Sequence, residues 1–513
     1  MAPLEIRHRS VRPISAKHAQ ASRFLQQSPP IKSNAWTGKF FSHGWSAGSG
    51  GVAEVVEPAT GEVLGQIGIA DAKDIHAAVV SARSAQEAWA ATPFDQRAAI
   101  IRTAAEVLKR RAAEFVQWNT RECGSIPAKG EYEVGIAYEQ MQQAAALAAL
   151  PNGSLFPSSV PGRTNLWHRV PLGVVGVIAP WNFPLFLAMR SVAPALSLGN
   201  AVVLKPDLQS AVTGGVLIAE IFEEAGLPDG VLHVLPGGAK TGDALVRHPD
   251  VAMISFTGST PVGRSIAEIC GGMLKKVALE LGGNNVHIVL PDADLDGAAS
   301  CAAWGSFLHQ GQVCMAAGRH LVHRSVVDEY AAKLAARAGA LHVGDPNAGP
   351  SHLGPLINDR QVARVHEVVT GSIQAGAELL TGGVHEGRFY QPTVLKGVTP
   401  EMSAFQSEIF GPVAPITVFD TEDEAIALSN GSEYGLAASI HTASAARGLA
   451  LAKRLKTGMV HINDQPINCE PQVPFGGMGA SGSGGRFGGP ASIDEFTQAQ
   501  WISIVEKPVI YPF

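Results

Sequence analysis

Cys314 follows Gly311-Gln312-Val313 and precedes Met315-Ala316-Ala317-Gly318. The thiolate is the reactive form of cysteine, and it needs a positive local field or a nearby base, in a segment open to substrate. A glycine-bracketed loop beside a helix end can supply this, and the cysteine's own N–H can help hold an oxyanion. Alone, the stretch reads more readily as an inert cysteine in apolar surroundings. Glu280 changes that balance. In Leu279-Glu280-Leu281-Gly282-Gly283 it has an apolar, glycine-rich setting, which predicts the raised pKa of a general base working near neutrality.

Asn182, in Ile178-Ala179-Pro180-Trp181-Asn182-Phe183-Pro184, stands between prolines that fix the loop. Its amide is either a preorganised oxyanion donor or a turn former. Lys205, in Val203-Leu204-Lys205-Pro206, can bond a ribose or phosphate, or can simply be solvated. The run Phe256-Thr257-Gly258-Ser259-Thr260-Pro261-Val262-Gly263 reads as a strand, a Gly-rich turn and a helix start. Free N–H groups and the helix dipole there suit a pyrophosphate, although the spacing is not the usual G-x-G-x-x-G.

Certain elements must position these residues. From Gly173, short apolar strands alternate with helices, with strands expected over 174–179, 201–204, 231–235, 251–256 and 286–290. The clearest helix, 213–225, ends at Gly226 with Pro228 beyond. Apolar strands linked by helices imply a doubly wound parallel sheet, which binds ligands at the carboxyl ends of its strands. Upstream, 52–68 reads as a hairpin around Pro58-Ala59-Thr60-Gly61. Asp71 caps a helix carrying Ile75, Val79, Ala82, Gln86 and Trp89 on one side, and a second helix is expected over 95–119. The Pro- and Ser-rich 151–163 reads as an exposed connection.

After Cys314 a second α/β block is expected, with strands near 321–323, 413–419 and 459–462 and helices near 325–341 and 424–429. Between Gly476 and Gly489, eight of fourteen residues are glycine. Because Trp501-Ile502-Ser503-Ile504-Val505 can add a strand afterwards, a tightly folded loop is expected there rather than a linker.

Composition narrows the classes. A chain of 513 residues, 46% apolar and 16% charged, has material for two or three cores. A net charge of −6 without Lys/Arg clusters argues against nucleic acid. Five cysteines with no close pair argue against a disulfide framework or a metal knuckle and for the cytoplasm. No apolar run has membrane-spanning length; 183–204 is interrupted by Arg190, Pro194 and Asn200. The first 40 residues hold seven Lys/Arg against one acid, Glu5, and read as a loosely attached extension, with order starting near Lys32.

Together these stretches, with Glu408-Ile409-Phe410-Gly411-Pro412 and Pro474-Phe475-Gly476-Gly477, resemble the aldehyde dehydrogenase superfamily in motif order and spacing from about Lys39 to Phe513. A narrower likeness, to members that oxidise benzaldehyde and ring-substituted analogues with NAD, rests on three further stretches. These are Lys205-Pro206-Asp207-Leu208-Gln209, the run from Glu280 to His287, and Asn463-Asp464-Gln465-Pro466-Ile467-Asn468. The resemblance implies an α/β fold with a Rossmann-like cofactor domain (32–152 and 172–282), a second α/β catalytic domain (283–480) and a small β oligomerisation arm (153–171 and 481–513), after an extension over 1–31. It implies Cys314 as nucleophile, Asn182 with the Cys314 N–H as oxyanion donors, and Glu280 as the base for deacylation. Ile178, Ala179, Pro180, Trp181, Lys205, Gly258, Ser259, Gly263, Leu281, Glu408 and Phe410 would contact NAD. Phe183, Leu187, Phe307 and Phe475, with Trp304, could line a ring pocket or be ordinary core. A homodimer or homotetramer is implied, and no metal.

Two positions depart from the pattern. Leu208 stands where NAD-preferring relatives often carry a glutamate, so some use of NADP is expected beside NAD. Pro490 stands where some relatives carry a second glutamate, which leaves Glu280 without an alternate base. The competing readings are the same chemistry on an aliphatic aldehyde or semialdehyde, with Arg190 as a clamp at the tunnel mouth, and an NAD-independent cysteine hydrolase.

Overall fold

A computed structural model describes residues 35–513; the expected extension over 1–31 and the expected start near Lys32 lie outside the described residues. The chain opens with β1 (Lys39–Phe41) and β2 (Trp45–Ala47), then the expected hairpin of β3 (Val52–Val56) and β4 (Val63–Gly68). Helix α1 (Ala72–Ala91) starts at a capping box. The Asp71 carboxylate accepts the N–H groups of Lys73 and Asp74, and the Asp74 carboxylate accepts the Asp71 N–H. Such a cap is worth about 1 kcal/mol. Burial of Ile75, Val79 and Trp89 weighs more, at roughly 1.5–3 kcal/mol for each large side chain.

The single helix expected over 95–119 is two helices, α2 (Phe94–Arg110) and α3 (Ala112–Cys123). Arg111 leaves helical geometry at φ −92°, ψ 13°, and its guanidinium is held by Glu114 and Glu220. The sequence reading assigns no helix to 127–147, yet α4 (Pro127–Leu147) forms there. It is enclosed on several sides and buries Lys129, Glu133 and Gln140 along with its apolar residues, so no single apolar stripe marks it. The connection expected over 151–163 also contains a strand, β5 (Gly153–Phe156), paired antiparallel with β6 (Arg163–Pro171).

The first large sheet is built from β7 (Val174–Ile178), β8 (Ala201–Lys205), β9 (Leu232–Val234), β10 (Val251–Thr257) and β11 (Lys276–Glu280), all parallel, extended by β1 and β2 in antiparallel. Its order is β11-β10-β7-β8-β9-β1-β2. The chain leaves β7 through α5 (Pro184–Ser197) toward β8 and β9. It then returns through α7 (Ala239–Arg247) to place β10 on the other side of β7, and α8 (Thr260–Gly272) leads on to β11. Between β8 and β9, the expected helix 213–225 opens with one π-turn where the buried Glu122 carboxylate takes the N–H groups of Val212 and Thr213, 2.8 Å each. It continues as α6 (Leu217–Glu224), with Gly226 just beyond at φ 76°.

The strand expected over 286–290 is β12 (Asn285–Val289) and belongs to the second sheet, whereas β11, which the reading omits, closes the first. Buried parallel strands are alike in sequence; only their hydrogen-bonding partners decide the sheet.

After β12 come α9 (Leu295–Phe307), β13 (Ala317–His323), β14 (Glu378–Thr381) and the short pair β15 (His385–Glu386) and β16 (Phe389–Tyr390). β17 (Thr393–Lys396), β18 (Val413–Phe419), β19 (Tyr434–Gly435), β20 (Ala437–His441) and β21 (Met459–Ile462) follow. The second sheet has the order β14-β17-β18-β13-β12-β20-β21. The glycine-rich tail is folded, as expected: β22 (Met478–Gly479) pairs with β19, and Gly482 bridges to Glu280. Residues 481–489 therefore lie against the sheet ends, and only β23 (Thr497–Val505) joins β6 and β5 in the small arm sheet.

The order β11-β10-β7-β8 reverses direction between β7 and β10, so a crevice opens at their carboxyl ends. Trp181 and Asn182 follow β7, Lys205 ends β8, Gly258 and Ser259 follow β10, and Glu280 ends β11. The short link Leu281–Asn284 runs to the amino end of β12, where Asn285 is in register with Ala317 at the start of β13. Cys314, three residues before β13, is thereby brought to the same crevice.

Candidate active site

The turn before Cys314 is held in unusual geometry. His309, Gln310 and Gly311 are successive left-handed residues at φ 50°, 57° and 68°. For the two that are not glycine this costs on the order of 1 kcal/mol each or more. At Gly311 a Cβ would lie 2.1 Å from the Gly411 carbonyl oxygen, so no side chain fits. Hydrogen bonds worth about 1 kcal/mol apiece offset the strain. Gln310 Nε2 donates to the Gly124 and Pro355 carbonyls (2.9 and 2.7 Å), and Ile357 N–H donates to Gln312 Oε1 (3.0 Å). Asn285 Nδ2 donates to the carbonyls of Cys314 and Ala316, 2.8 Å each.

Asn182 is buried and its Nδ2 donates to the Gln312 carbonyl at 3.0 Å, so its amide lies two residues from the cysteine. The start of α5, two residues beyond Asn182, is anchored by Glu133, which accepts the Phe186 N–H (3.1 Å) and pairs with the buried Lys129 (2.6 Å). The Lys129 ammonium also lies 4.2 Å from the Phe183 ring centroid.

Glu280 is buried, and its Oε1 has no partner among the described residues. Burial pushes its pKa up to about 7, against the opposing charges of Arg190 and Arg486 and a hydrogen bond from the Gly477 N–H. The raised pKa read from the sequence is present. Three residues on, a Cβ at Gly283 would lie 2.5 Å from the Cys314 carbonyl oxygen, so the chain after Glu280 runs directly against the cysteine. Burial likewise pushes the Cys314 thiol up to about 12; Arg190 opposes this, and Glu280 and Glu408 add to it. The resting cysteine is a protonated thiol that feels the glutamate's charge.

Around the crevice, Lys205 is buried and its Nζ donates to the Pro206 carbonyl at 3.2 Å. Burial lowers its pKa. Ser259 precedes α8 without making a side-chain cap, which leaves first-turn N–H groups of that helix free for a ligand. Glu408 Oε1 accepts the Gly283 N–H at 3.0 Å, and a Cβ at Gly282 would lie 2.2 Å from Glu408 Oε2. Burial pushes the Glu408 pKa up to about 7. Phe410, left-handed at φ 55°, sets its ring edge-on to Trp181 with centroids 5.5 Å apart.

Residues 45–502 match the aldehyde dehydrogenase family. The chain is 71% identical over 478 residues to a benzaldehyde dehydrogenase [NAD(+)] of Pseudomonas putida, covering 93% of this chain and 98% of that protein. The chain belongs to the aldehyde dehydrogenase family. It is also 53% identical over 479 residues to a vanillin dehydrogenase of an Amycolatopsis species, covering 93% and 98%. The crystal structure of an NAD-dependent benzaldehyde dehydrogenase from Corynebacterium glutamicum superposes with a TM-score of 0.84 at 41% identity, over 91% of this chain and 97% of that one.

The crevice of this aldehyde dehydrogenase fits a dinucleotide on its own features: an uncapped helix start, a buried lysine with one long hydrogen bond, and glycines that leave no room for side chains. At Gly258 a Cβ would meet the Phe256 ring at 2.4 Å, and at Gly263 the Leu281 side chain at 2.3 Å, which seats α8 close to the strand end. Ile178 and Ala179 are buried beneath the turn, and the Ala179 N–H donates to the Lys205 carbonyl.

Phe183, Leu187 and Phe475 gather with Val313 and Met315, and Cys314 packs against them. Phe307 does not join them: it lies in the core between α9 and the second sheet with Val289 and Tyr330. Trp304, one turn earlier on α9, is 43% exposed and outside that cluster. Arg190, read from the sequence as a clamp at the tunnel mouth in the semialdehyde alternative, is 2% exposed on α5. The sequence reading missed Gln310, Gln312, Asn285, Lys129 and Glu133. Their one signal was polarity inside otherwise apolar stretches, with Lys129 and Glu133 at i,i+4 spacing.

Proposed function

We propose that this chain oxidises an aromatic aldehyde, benzaldehyde or a ring-substituted analogue, to the carboxylic acid with NAD through a thioester on Cys314. The observation that carries the reading is the convergence of Cys314, Asn182 and Glu280 at the crevice between β7 and β10, beside the features that suit a dinucleotide. The relatives that act on benzaldehyde and vanillin support the aromatic substrate. Once the Cys314 thiol has given up its proton to solvent, its sulfur attacks the aldehyde carbon, and the Asn182 amide and the Cys314 N–H hold the oxygen as it becomes anionic. Held by the crevice residues, NAD would supply the hydride acceptor for that carbon. The thioester left on Cys314 is hydrolysed by a water whose proton Glu280 takes, which releases the acid and the thiolate. Phe183, Leu187 and Phe475 enclose the ring. NADH absorbance measured with benzaldehyde and with succinic semialdehyde tests the reading. A higher kcat/KM for benzaldehyde is expected, and a preference for the semialdehyde would overturn the substrate class.

The residues that would hold NAD are Ile178 to Trp181, Lys205, Gly258, Ser259, Gly263, Leu281, Glu408 and Phe410. Leu208 opens a short turn behind Asp207, whose carboxylate accepts the Gln209 N–H, and it offers no charge to repel a 2′-phosphate. The NAD-dependent relatives support a preference for NAD, and the uncharged Leu208 supports measurable NADP turnover beside it. Leu208→Glu is expected to lower kcat/KM for NADP by roughly tenfold or more, the scale of about 1.4 kcal/mol of added repulsion, with little change for NAD. Equal losses for both cofactors would reject this role.

The cofactor domain is proposed to comprise 32–152 and 172–282, and the catalytic domain 283–480. The arm is proposed to mediate a homodimer or homotetramer. Its strands expose Leu155 (72%), Phe156 and Trp501 (69%), together with Ile502 and Ile504, an apolar surface suited to a second copy. Trp501→Arg combined with Ile504→Asp is expected to reduce the mass measured by light scattering to that of a smaller assembly. An unchanged mass would place the interface elsewhere. The described residues include no helix long and apolar enough to cross a membrane, and none of the five cysteines is paired; from cysteine usage we infer a cytoplasmic location.

A further inference from the structure

Arg190 is a buried cation without a counter-ion. It makes no ion pair among the described residues; Nη2 donates to Thr257 Oγ1 at 3.0 Å, and Nε has no acceptor. Its guanidinium carbon lies 5.0 Å from the Phe475 ring centroid and 4.6 Å from that of Phe487. Arg319 shows what a structural buried arginine looks like in the same molecule. It donates twice to the Asn284 carbonyl and once each to those of Leu428 and Ser429. The two rings offset part of the cost of burying the Arg190 charge, yet Nε is left without an acceptor among the described residues.

The place of the charge supplies the reason. Thr257, its hydrogen-bond acceptor, is in register with Glu280 across the β10–β11 pair. Phe475, one of the rings beside it, packs in the cluster that holds Cys314. Resting on the reading of Cys314 as nucleophile and Glu280 as base, we propose that Arg190 is a positioning residue for both halves of the reaction. Its fixed positive charge, set in a water-poor space, favours the thiolate of Cys314 for attack and the carboxylate of Glu280 for deacylation.

The charged surroundings agree. The groups facing Cys314 are Arg190, Glu280 and Glu408; those facing Glu280 are Arg190, Arg486 and Glu495; and Cys469 faces Arg190, Glu280 and Glu470. Burial dominates at both Cys314 and Glu280, and Arg190 is the largest influence opposing it at each. A guanidinium suits this task because it does not deprotonate, and its charge acts more strongly where water is excluded.

The test is the pH dependence of Cys314 alkylation by iodoacetamide, followed by peptide mass spectrometry, in the full-length protein and in Arg190→Met and Arg190→Lys. This readout needs no turnover, so it stands even if the chain acts on another substrate. Arg190→Met is expected to slow Cys314 alkylation roughly tenfold at fixed pH, a shift of about one pH unit in the midpoint. Arg190→Lys is expected to restore most of the rate. In turnover, the pH at which steady-state kcat is half-maximal is expected to rise in Arg190→Met and not in Arg190→Lys. Should the methionine variant fail to fold, Arg190→Gln against Arg190→Lys makes the same comparison. An alkylation profile unchanged by loss of the charge would overturn the proposal. So would a loss of kcat/KM confined to carboxylate-bearing aldehydes with alkylation unmoved, which would make Arg190 a substrate clamp instead.

Discussion

Cys314→Ala is expected to abolish NADH formation from benzaldehyde, with kcat/KM falling by roughly 10⁴-fold or more, the scale seen when a covalent nucleophile is removed. The expectation rests on position rather than on reactivity at rest. Burial pushes Cys314 up to about 12, Cys469 to about 12 and Cys301 to about 11, so the thiols are similarly protonated in the resting molecule. Cys314 alone of these follows the turn held by Gln310, Gln312 and Asn285 and lies two residues from the carbonyl that accepts the Asn182 amide. Stopped-flow absorbance should show neither a burst nor a steady state in Cys314→Ala. Turnover retained there, or an equal loss in Cys469→Ala, would move the nucleophile elsewhere.

In Glu280→Gln, a single burst of NADH is expected to survive while the steady-state rate drops by about 10²–10⁴-fold, the usual contribution of a positioned general base. Oxidation is complete once the thioester forms; the thiol proton leaves to solvent before attack, so only the hydrolysis draws on Glu280 as base. The pH dependence has a definite sign. Glu280 works as the carboxylate, and its pKa is pushed up to about 7 by burial, so kcat of the unmodified enzyme should rise with pH and level off above about 7. Glu280→Gln should lose that rise. Glu495, a further carboxylate whose charge acts on Glu280, lies 3.8 Å from the Lys276 ammonium. An unchanged steady-state rate, or a burst lost together with it, would reject the assignment.

Much of this site is legible in the linear chain because it is punctuated by backbone requirements. Asn182 stands between prolines, Cys314 comes three residues after Gly311, and Glu280 comes just before Gly282 and Gly283. Each mark corresponds to a constraint in three dimensions: a Cβ at Gly282 would enter the Glu408 carboxylate, one at Gly283 the Cys314 carbonyl, and one at Gly311 the Gly411 carbonyl. The ring pocket was legible only in part. Phe183, Leu187 and Phe475 gather at the cysteine, whereas Phe307 and Trp304, equally apolar and nearer to Cys314 in sequence, face other surroundings. Both lie on α9, and helix periodicity does not say which neighbour a face will meet.

The sequence by itself determined the α/β class, the strand-end places of Asn182, Lys205 and Gly258, and the pairing of one cysteine with one apolar-embedded glutamate. Strand periodicity, prolines and glycines are local properties, and they act wherever the chain runs. Only the tertiary structure decided that β12 begins a second sheet, that β11 exists and ends on Glu280, and that the glycine-rich tail folds back to bridge that strand. It alone showed Arg190, read as a clamp at the tunnel mouth, to be a buried cation with no ion pair among the described residues, against the Phe475 ring. Sheet membership and burial depend on partners far away in sequence, and a buried charge shows its purpose only through the groups that surround it.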